Sequence, residues 1–349
     1  MRLSACGLPA SRQGSMLVMA LWGIALLGLF AISLGSGVRQ KATLLNRLTT
    51  LDALYPIAYS GVEKAKSIIR SDTNTDVDLL TDAWAAPPTK IQVANGEFSF
   101  VADDGSGVVD EERKVNLNHA GVEIISRLFQ SVSGLGKEEA EEIAYNLTDW
   151  MDSDSSFGHP QYGAEASYYE NLSKPYTAKN APFEVIDELL LVKGMTPEIF
   201  EKVLPFVTVY GTGRVNVNTA GRQVLTALGF SPAGVETLVK YRAGADGKDG
   251  TGDDAFFSSV DGIQNDLTRS GGTVLDSGQE ALLAGLSAAS RIGVNSSVFS
   301  VRSLGVLERN GASVEVEAMF NRQGKVFYQR VKDVHLTPPG GGGLSERAG

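Results

Sequence analysis

The chain has 349 residues, 43% of them hydrophobic and 21% charged, which is material for about two globular domains behind an anchor. Its 31 Lys and Arg stand against 41 Asp and Glu, a formal net charge of −10, and this disfavours phosphate-rich partners such as nucleic acid. Cys6 is the single cysteine, so there is no intrachain disulfide. The three histidines, His119, His159 and His335, are too scattered for a zinc cluster.

Residues 15–37 run SMLVMALWGIALLGLFAISLGSG, 23 positions without an ionisable side chain, which is a membrane-spanning length. Leu44, Leu48, Leu51, Tyr55, Ala58, Val62, Ala65 and Ile69 continue at steps of three and four, the stripe of an amphipathic helix. The two stretches predict one long helix, its first half in lipid and its second half in a globular domain, with Pro56 expected to bend or interrupt it. Ser33-Leu34-Gly35 offers a signal-peptidase pattern, but the apolar run is longer than an ordinary signal core. A lipoprotein pattern at Leu3-Ser4-Ala5-Cys6 has no hydrophobic segment ahead of it. The remaining reading breaks the chain at Arg12-Gln13-Gly14, ahead of Ser15. A basic leader ending in Gly and followed by a retained apolar helix resembles a type IV prepilin or pseudopilin. Met19 stands at the fifth mature position, where most of that family carry Glu.

After the helix, Ile91, Val93, Phe98 and Phe100 alternate with polar residues around Asn95-Gly96, a hairpin signal closing near Asp103-Asp104. A meander of about three strands follows near the carboxyl end, over 297–308, 313–320 and from Val326 onward, with turns at Arg309-Asn310-Gly311 and 321–324. Hairpin and meander predict one antiparallel sheet packed on the second half of the long helix. The glycine-rich tail over 338–349 is expected to be disordered.

Between these β segments, residues 110–296 have a helical texture and contain a repeat. Val115-Asn116-Leu117-Asn118-His119-Ala120-Gly121 matches Val215-Asn216-Val217-Asn218-Thr219-Ala220-Gly221, and the stretch at Pro182-Phe183 echoes Phe256-Phe257. Asn118, Asn218 and Thr219 are expected to cap the helices that follow, while the earlier Asn bonds the turn. Such duplicated units resemble SAM-like and helix-hairpin-helix modules, some of which bind DNA. From 110 to 290, however, 14 Lys and Arg face 27 Asp and Glu, the wrong sign for a duplex-binding surface.

The anchor without its fifth-position Glu, the α+β unit split by a helical insert, and the strings KVNLNHAG, LTDWMDSDSS, GAEASYY, NAPFEVIDELLLVKGM and RVNVNTAG together resemble the minor pseudopilin K family of type II secretion. The resemblance implies a leader over 1–14, a span over 15–37, a pilin-like domain over 38–109 and 297–337, and an insert over 110–296. It implies prepilin-peptidase cleavage after Gly14, methylation at Ser15, and an inner-membrane subunit with its globular part in the periplasm. It further implies a noncatalytic role at the pseudopilus tip, with the I and J minor pseudopilins as partners. The alternative is a DNA-uptake pilin using its helix-hairpin-helix units on DNA.

Two acidic loops are candidate cation sites. Asp149, Asp152 and Asp154, followed by Glu165, offer the oxygen ligands that calcium takes, and calcium in the insert is also implied by the resemblance. Ala166 and Ser167 stand where that resemblance implies acidic residues. The second loop holds Asp246, Asp249, Asp253 and Asp254 among glycines. Val260 occupies the twelfth place from Asp249, so it is not an EF-hand, and calcium stands there against a plain acidic loop. No Ser or Cys nucleophile lies in a recognisable catalytic setting, which points away from an enzyme. Trp22, Trp84 and Trp150 are assigned to membrane packing and core filling.

Overall fold

The computed structural model describes residues 13–86, 90–101, 107–271 and 274–336. Helix α1 (Gln13–Ser71) is continuous over 59 residues and is long and apolar enough to cross a membrane. Leu21, Trp22, Phe30 and Leu34 are exposed, and so are Leu44, Leu48 and Tyr55 of the amphipathic stripe. From Leu54 onward the same helix is buried through Ile57, Ala58, Val62, Ala65 and Ile69. Pro56 does not interrupt α1, contrary to the sequence expectation. It lies on the exposed side next to exposed Asp52, so the Asp52 carbonyl that loses its partner can bond water. Leu54, Ile57 and Ala58 meanwhile hold that turn against the sheet.

The hairpin is present as β1 (Ile91–Val93) and β2 (Gly96–Phe100), but its turn is Ala94-Asn95, one residue earlier than the Asn-Gly pattern suggests. Ala94 adopts φ 53°. Gly96 is required in the strand, because a Cβ there would fall 2.3 Å from the backbone carbonyl oxygen of Val306 on the neighbouring strand and 2.8 Å from Ile57 Cδ1 of α1. Closure near Asp103-Asp104 lies outside the described residues. β3 (Val108–Asp110) is a short strand that the sequence pattern did not mark.

The insert then runs through β4 (Val115–Asn116), α2 (Val122–Ser133), α3 (Lys137–Met151), α4 (Ala166–Glu170), α5 (Pro197–Val203) and β5 (Val207–Thr208). Its second half comprises β6 (Val215–Asn216), α6 (Arg222–Ala227), α7 (Pro232–Arg242), α8 (Ile263–Arg269), α9 (Ser277–Ala288) and β7 (Ile292–Gly293). The chain returns to the sheet in β8 (Val298–Leu307), β9 (Ser313–Asn321) and β10 (Val326–His335). The tail from 338 lies outside the described residues.

The antiparallel sheet has the order β1-β2-β8-β9-β10, and β3 pairs with β8 ahead of β2 on the same edge. α1 crosses it at close range: a Cβ on Gly305 would fall 2.6 Å from Ala58 N. Arg309 donates to Thr50 Oγ1 at 3.2 Å and Arg70 to the Gln323 carbonyl at 2.8 Å. α1 therefore enters beside the β8–β9 turn and leaves beside the β9–β10 turn. Val298 pairs with Asn321 and Asp110 with Phe299, so the insert joins the sheet at the end where α1 stops, far from the apolar span.

The repeat is a repeat in space. β4 pairs in parallel with β5, and β6 with β7. In each copy the first Asn accepts from the backbone of the second: Asn118 N to Asn116 Oδ1, and Asn218 N to Asn216 Oδ1, both 3.0 Å. The second Asn does not cap the next helix. α2 and α6 start from Gly121 and Gly221 without a side-chain cap. Instead Asn118 clamps Phe183, donating to its carbonyl at 2.9 Å and accepting from its N–H at 2.8 Å, and Asn218 does the same to Phe257 at 3.0 and 2.9 Å. The two sequence echoes are thus the two sides of one clamp, made twice. Ile125, Phe129, Leu147, Trp150, Leu225 and Phe230 share one apolar core across both copies. Removing either amide strands three backbone groups, so Asn118→Ala and Asn218→Ala should each lower unfolding free energy by about 1–3 kcal/mol, measured by denaturant titration.

Candidate functional site

Asp149 closes the last turn of α3 and is buried. Its two oxygens accept from Gly158 N at 3.0 Å and Ala164 N at 3.1 Å, holding both ends of the loop that follows. Gly163, at φ 126°, gives the backbone room to approach this carboxylate. The loop brings Asp152, Asp154 and Glu165 together, with a carboxylate oxygen from each within 4.8 Å of the others. Three of the four sequence-predicted residues therefore converge, and the fourth shapes the loop around them. Glu165 is buried with neither oxygen hydrogen-bonded, and Asp152 Oδ1 is buried and unpartnered as well. Burial, then the charges of Asp149, Asp152 and Asp154, push the Glu165 carboxyl up; burial and the same neighbours raise Asp152. Orphaned carboxylate oxygens facing like charges fit a hard cation, which would satisfy both deficits.

The second acidic loop occupies the corresponding place in the other repeat, after α7, and is built differently. Asp253 Oδ2 accepts from Ala245 N and Asp246 N at 2.7 and 3.0 Å, and its Oδ1 accepts from Thr251 Oγ1 at 2.8 Å. Asp254 accepts from Gly250 N at 2.6 Å and Thr251 N at 3.2 Å, and Asp246 from Lys248 N at 2.8 Å. Asp249 faces the buried guanidinium of Arg242 at 3.5 Å. Arg242 also donates to the Val217 and Ala220 carbonyls, both at 2.8 Å, tying this loop to the second VNxNxAG turn. These carboxylates knit the loop through its own amides, and its internal cation is already supplied by the chain.

A third acidic group, Asp72, Asp78 and Asp82, escaped the sequence reading. Arg322 reaches into it, pairing with Asp72 at 3.1 Å and with buried Asp78, while its Nε donates to the Ser296 carbonyl at 3.0 Å. A guanidinium thus takes the place that a metal would need. Asp78 also accepts from Ser296 N at 2.6 Å. It belongs to a larger buried network where the insert meets the sheet. Asp110 accepts from Thr219 Oγ1 at 2.6 Å and Asn216 Nδ2 at 3.2 Å. Glu111 accepts from Thr208 Oγ1 and Ser300 Oγ at 2.6 Å each and from Lys114 at 2.7 Å. Glu112 accepts from Thr212 N at 2.7 Å and Ser297 N at 2.6 Å. The run Asp110-Glu111-Glu112 therefore fastens the way into the insert to the link between the repeats and to the way out. Its only sequence signal is three acids just ahead of the first VNxNxAG motif.

Comparisons with known proteins agree with one another. A family model described as type II secretion system (T2SS), protein K, matches residues 102–212. Type II secretion system protein K of Klebsiella pneumoniae is 29% identical over 252 residues, covering 66% of this chain and 73% of the relative. Over these residues the chain is similar to the type II secretion system protein K family. Protein K of Aeromonas hydrophila is 34% identical over 83 residues, but that match spans 25% of the relative and 23% of this chain. The crystal structure of the GspK-GspI-GspJ complex from enterotoxigenic Escherichia coli contains a chain with the same fold, at TM-score 0.62 and 18% identity, covering 84% of this chain and 99% of that one. The apolar half of α1 is compatible with a membrane anchor.

Burial raises the Asp78 carboxyl from 3.8 to about 6 against the pull of Arg322. A carboxyl raised in the folded state contributes stability that is complete below its unfolded value and is lost as pH rises through the folded one. Relative to Asp78→Asn, the unaltered chain should lose stability between pH 3.8 and about 6, with parallel curves on either side, as read by thermal unfolding across that range.

Proposed function

We propose that this chain is a noncatalytic minor pseudopilin that sits at the tip of the type II secretion pseudopilus and starts or caps its assembly for export of folded proteins. The observation that carries the reading is the attachment of the insert at the sheet end where α1 stops. A bulky insert there obstructs a further subunit from stacking above, while the exposed stripe Leu44, Leu48 and Tyr55 below leaves a helix surface for subunits beneath. The I and J minor pseudopilins are the partners we assign, as in the related complex. The chain is held in the inner membrane through 15–37 with its folded part in the periplasm. Prepilin peptidase cleaves after Gly14, leaving Ser15 as the methylated amino terminus. The two clamped helical units are taken as SAM-like, helix-hairpin-helix-type modules used as structure rather than for DNA.

The assembly reading is tested by co-expressing the full chain with the I and J subunits and an active prepilin peptidase. The expected result is a three-component complex containing a K chain that starts at Ser15. An uncleaved chain, or one that fails to copurify with I and J, overturns it.

We assign a structural calcium ion to Asp152, Asp154 and Glu165, with Asp149 holding the loop in register. Bound there, calcium supplies the positive charge that the cluster lacks; the chain supplies the oxygen cage and excludes water from Glu165. The ion is assigned to the first loop alone because Arg242 already serves the second. At a hundredfold excess over its Kd, calcium should raise the unfolding midpoint by about 5–10 °C. Glu165→Gln should abolish that response and, by relieving like-charge repulsion, melt higher than the unaltered chain in chelator.

A further inference from the structure

Residues 1–51 contain five cations, Arg2, Arg12, Arg39, Lys41 and Arg47, and no Asp or Glu, in a chain whose net charge is −10. Arg39, Lys41 and Arg47 all lie on α1 just past the apolar span and are exposed. Among the described residues none of the three pairs with an acidic side chain, and the first acid along the helix is Asp52. At about 1.5 Å per residue, Arg39 and Lys41 stand roughly 3 and 6 Å beyond Gly37, and Arg47 about 15 Å. A headgroup layer is about 5–7 Å deep, and helical side chains lean toward the amino terminus, so Arg47 reaches back toward it. At about 100° per residue, Lys41 lies roughly 200° and Arg47 roughly 80° around the axis from Arg39. The cations therefore encircle the helix. A partner helix approaching from one side would cover part of such a ring; a lipid surface surrounds it.

We propose that Arg39, Lys41 and Arg47 form a collar that binds the phosphate headgroups of anionic phospholipid at the leaflet from which the folded part of the chain emerges. The collar rests on the reading of 15–37 as a membrane span. It holds the subunit at a fixed depth by charge as well as by hydrophobic length, and it fixes the leaflet-side end of the helix that must leave lipid when the subunit joins a filament.

The experiment is boundary-lipid selectivity of the full chain in mixed phosphatidylcholine and phosphatidylglycerol vesicles, using spin-labelled forms of both lipids. The expected result is enrichment of phosphatidylglycerol, roughly fivefold for each cation engaged. It should shrink at high salt, resist 10 mM inorganic phosphate, and vanish in Arg39→Gln, Lys41→Gln, Arg47→Gln. Equal occupancy by both lipids overturns the collar and leaves the span standing. Displacement by free phosphate also overturns it, making the cations a site for a soluble anion. Absence of boundary signal from either lipid means that the helix is not in the bilayer, and the span itself fails.

Discussion

Four buried carboxylates, Asp78, Asp110, Glu111 and Glu112, make the contact on which the molecule depends. Burying that much negative charge is unfavourable unless each oxygen is met by a donor, and here donors come from every segment that must be joined. Ser296, Ser297 and Ser300 belong to the exit of the insert, Thr208 and Thr212 to the link between its halves, Asn216 and Thr219 to the second repeat, and Arg322 to the β9–β10 turn. The insert is thereby seated on the sheet by charge-assisted bonds at its root, while its own apolar core is separate from that under α1. Hydrophobic burial builds each body, and the carboxylates fix how one sits on the other.

Within the insert, duplication has been kept in the skeleton and altered in the loops. Both copies retain the Asn clamp and the short parallel strand pair because these determine how each unit closes. The acidic loops after α3 and α7 solve the same problem of crowded negative charge in opposite ways. Arg242 and a set of backbone amides neutralise one from within, whereas the other leaves Glu165 and Asp152 with unmet oxygens.

Much of this was legible in the chain. The apolar run, the stripe of α1, the meander and the duplicated motif all rest on local periodicity, and each appears as an element. The capping role given to Asn118 and Asn218 was not borne out, because an Asn ahead of a helix has the same local appearance whether its amide turns to the helix or to a loop segment 65 or 39 residues away. The turn at Ala94 likewise leaves Gly96 in the strand, close against the Val306 carbonyl and Ile57 of α1, a packing that no hairpin rule contains. The carboxylate root was hidden for the same reason: Ser297 and Glu112 are 185 residues apart and Ser296 and Asp78 are 218 apart. Residue type marked the first acidic loop, but which oxygens converge depended on the path that Asp149 imposes between Gly158 and Ala164.

The continuity of α1 through Pro56 has a mechanical consequence. A rod of 59 residues, about 88 Å long, has no hinge at which displacement of its apolar end could be absorbed. Axial load applied there travels to Arg70 and Asp72, whose partners Gln323 and Arg322 lie on the β9–β10 turn. Arg322 is also bonded to Asp78 and Ser296, so the force passes directly into the root of the insert. Axial displacement of the helix therefore moves the insert in step with it, as a piston head moves with its shaft.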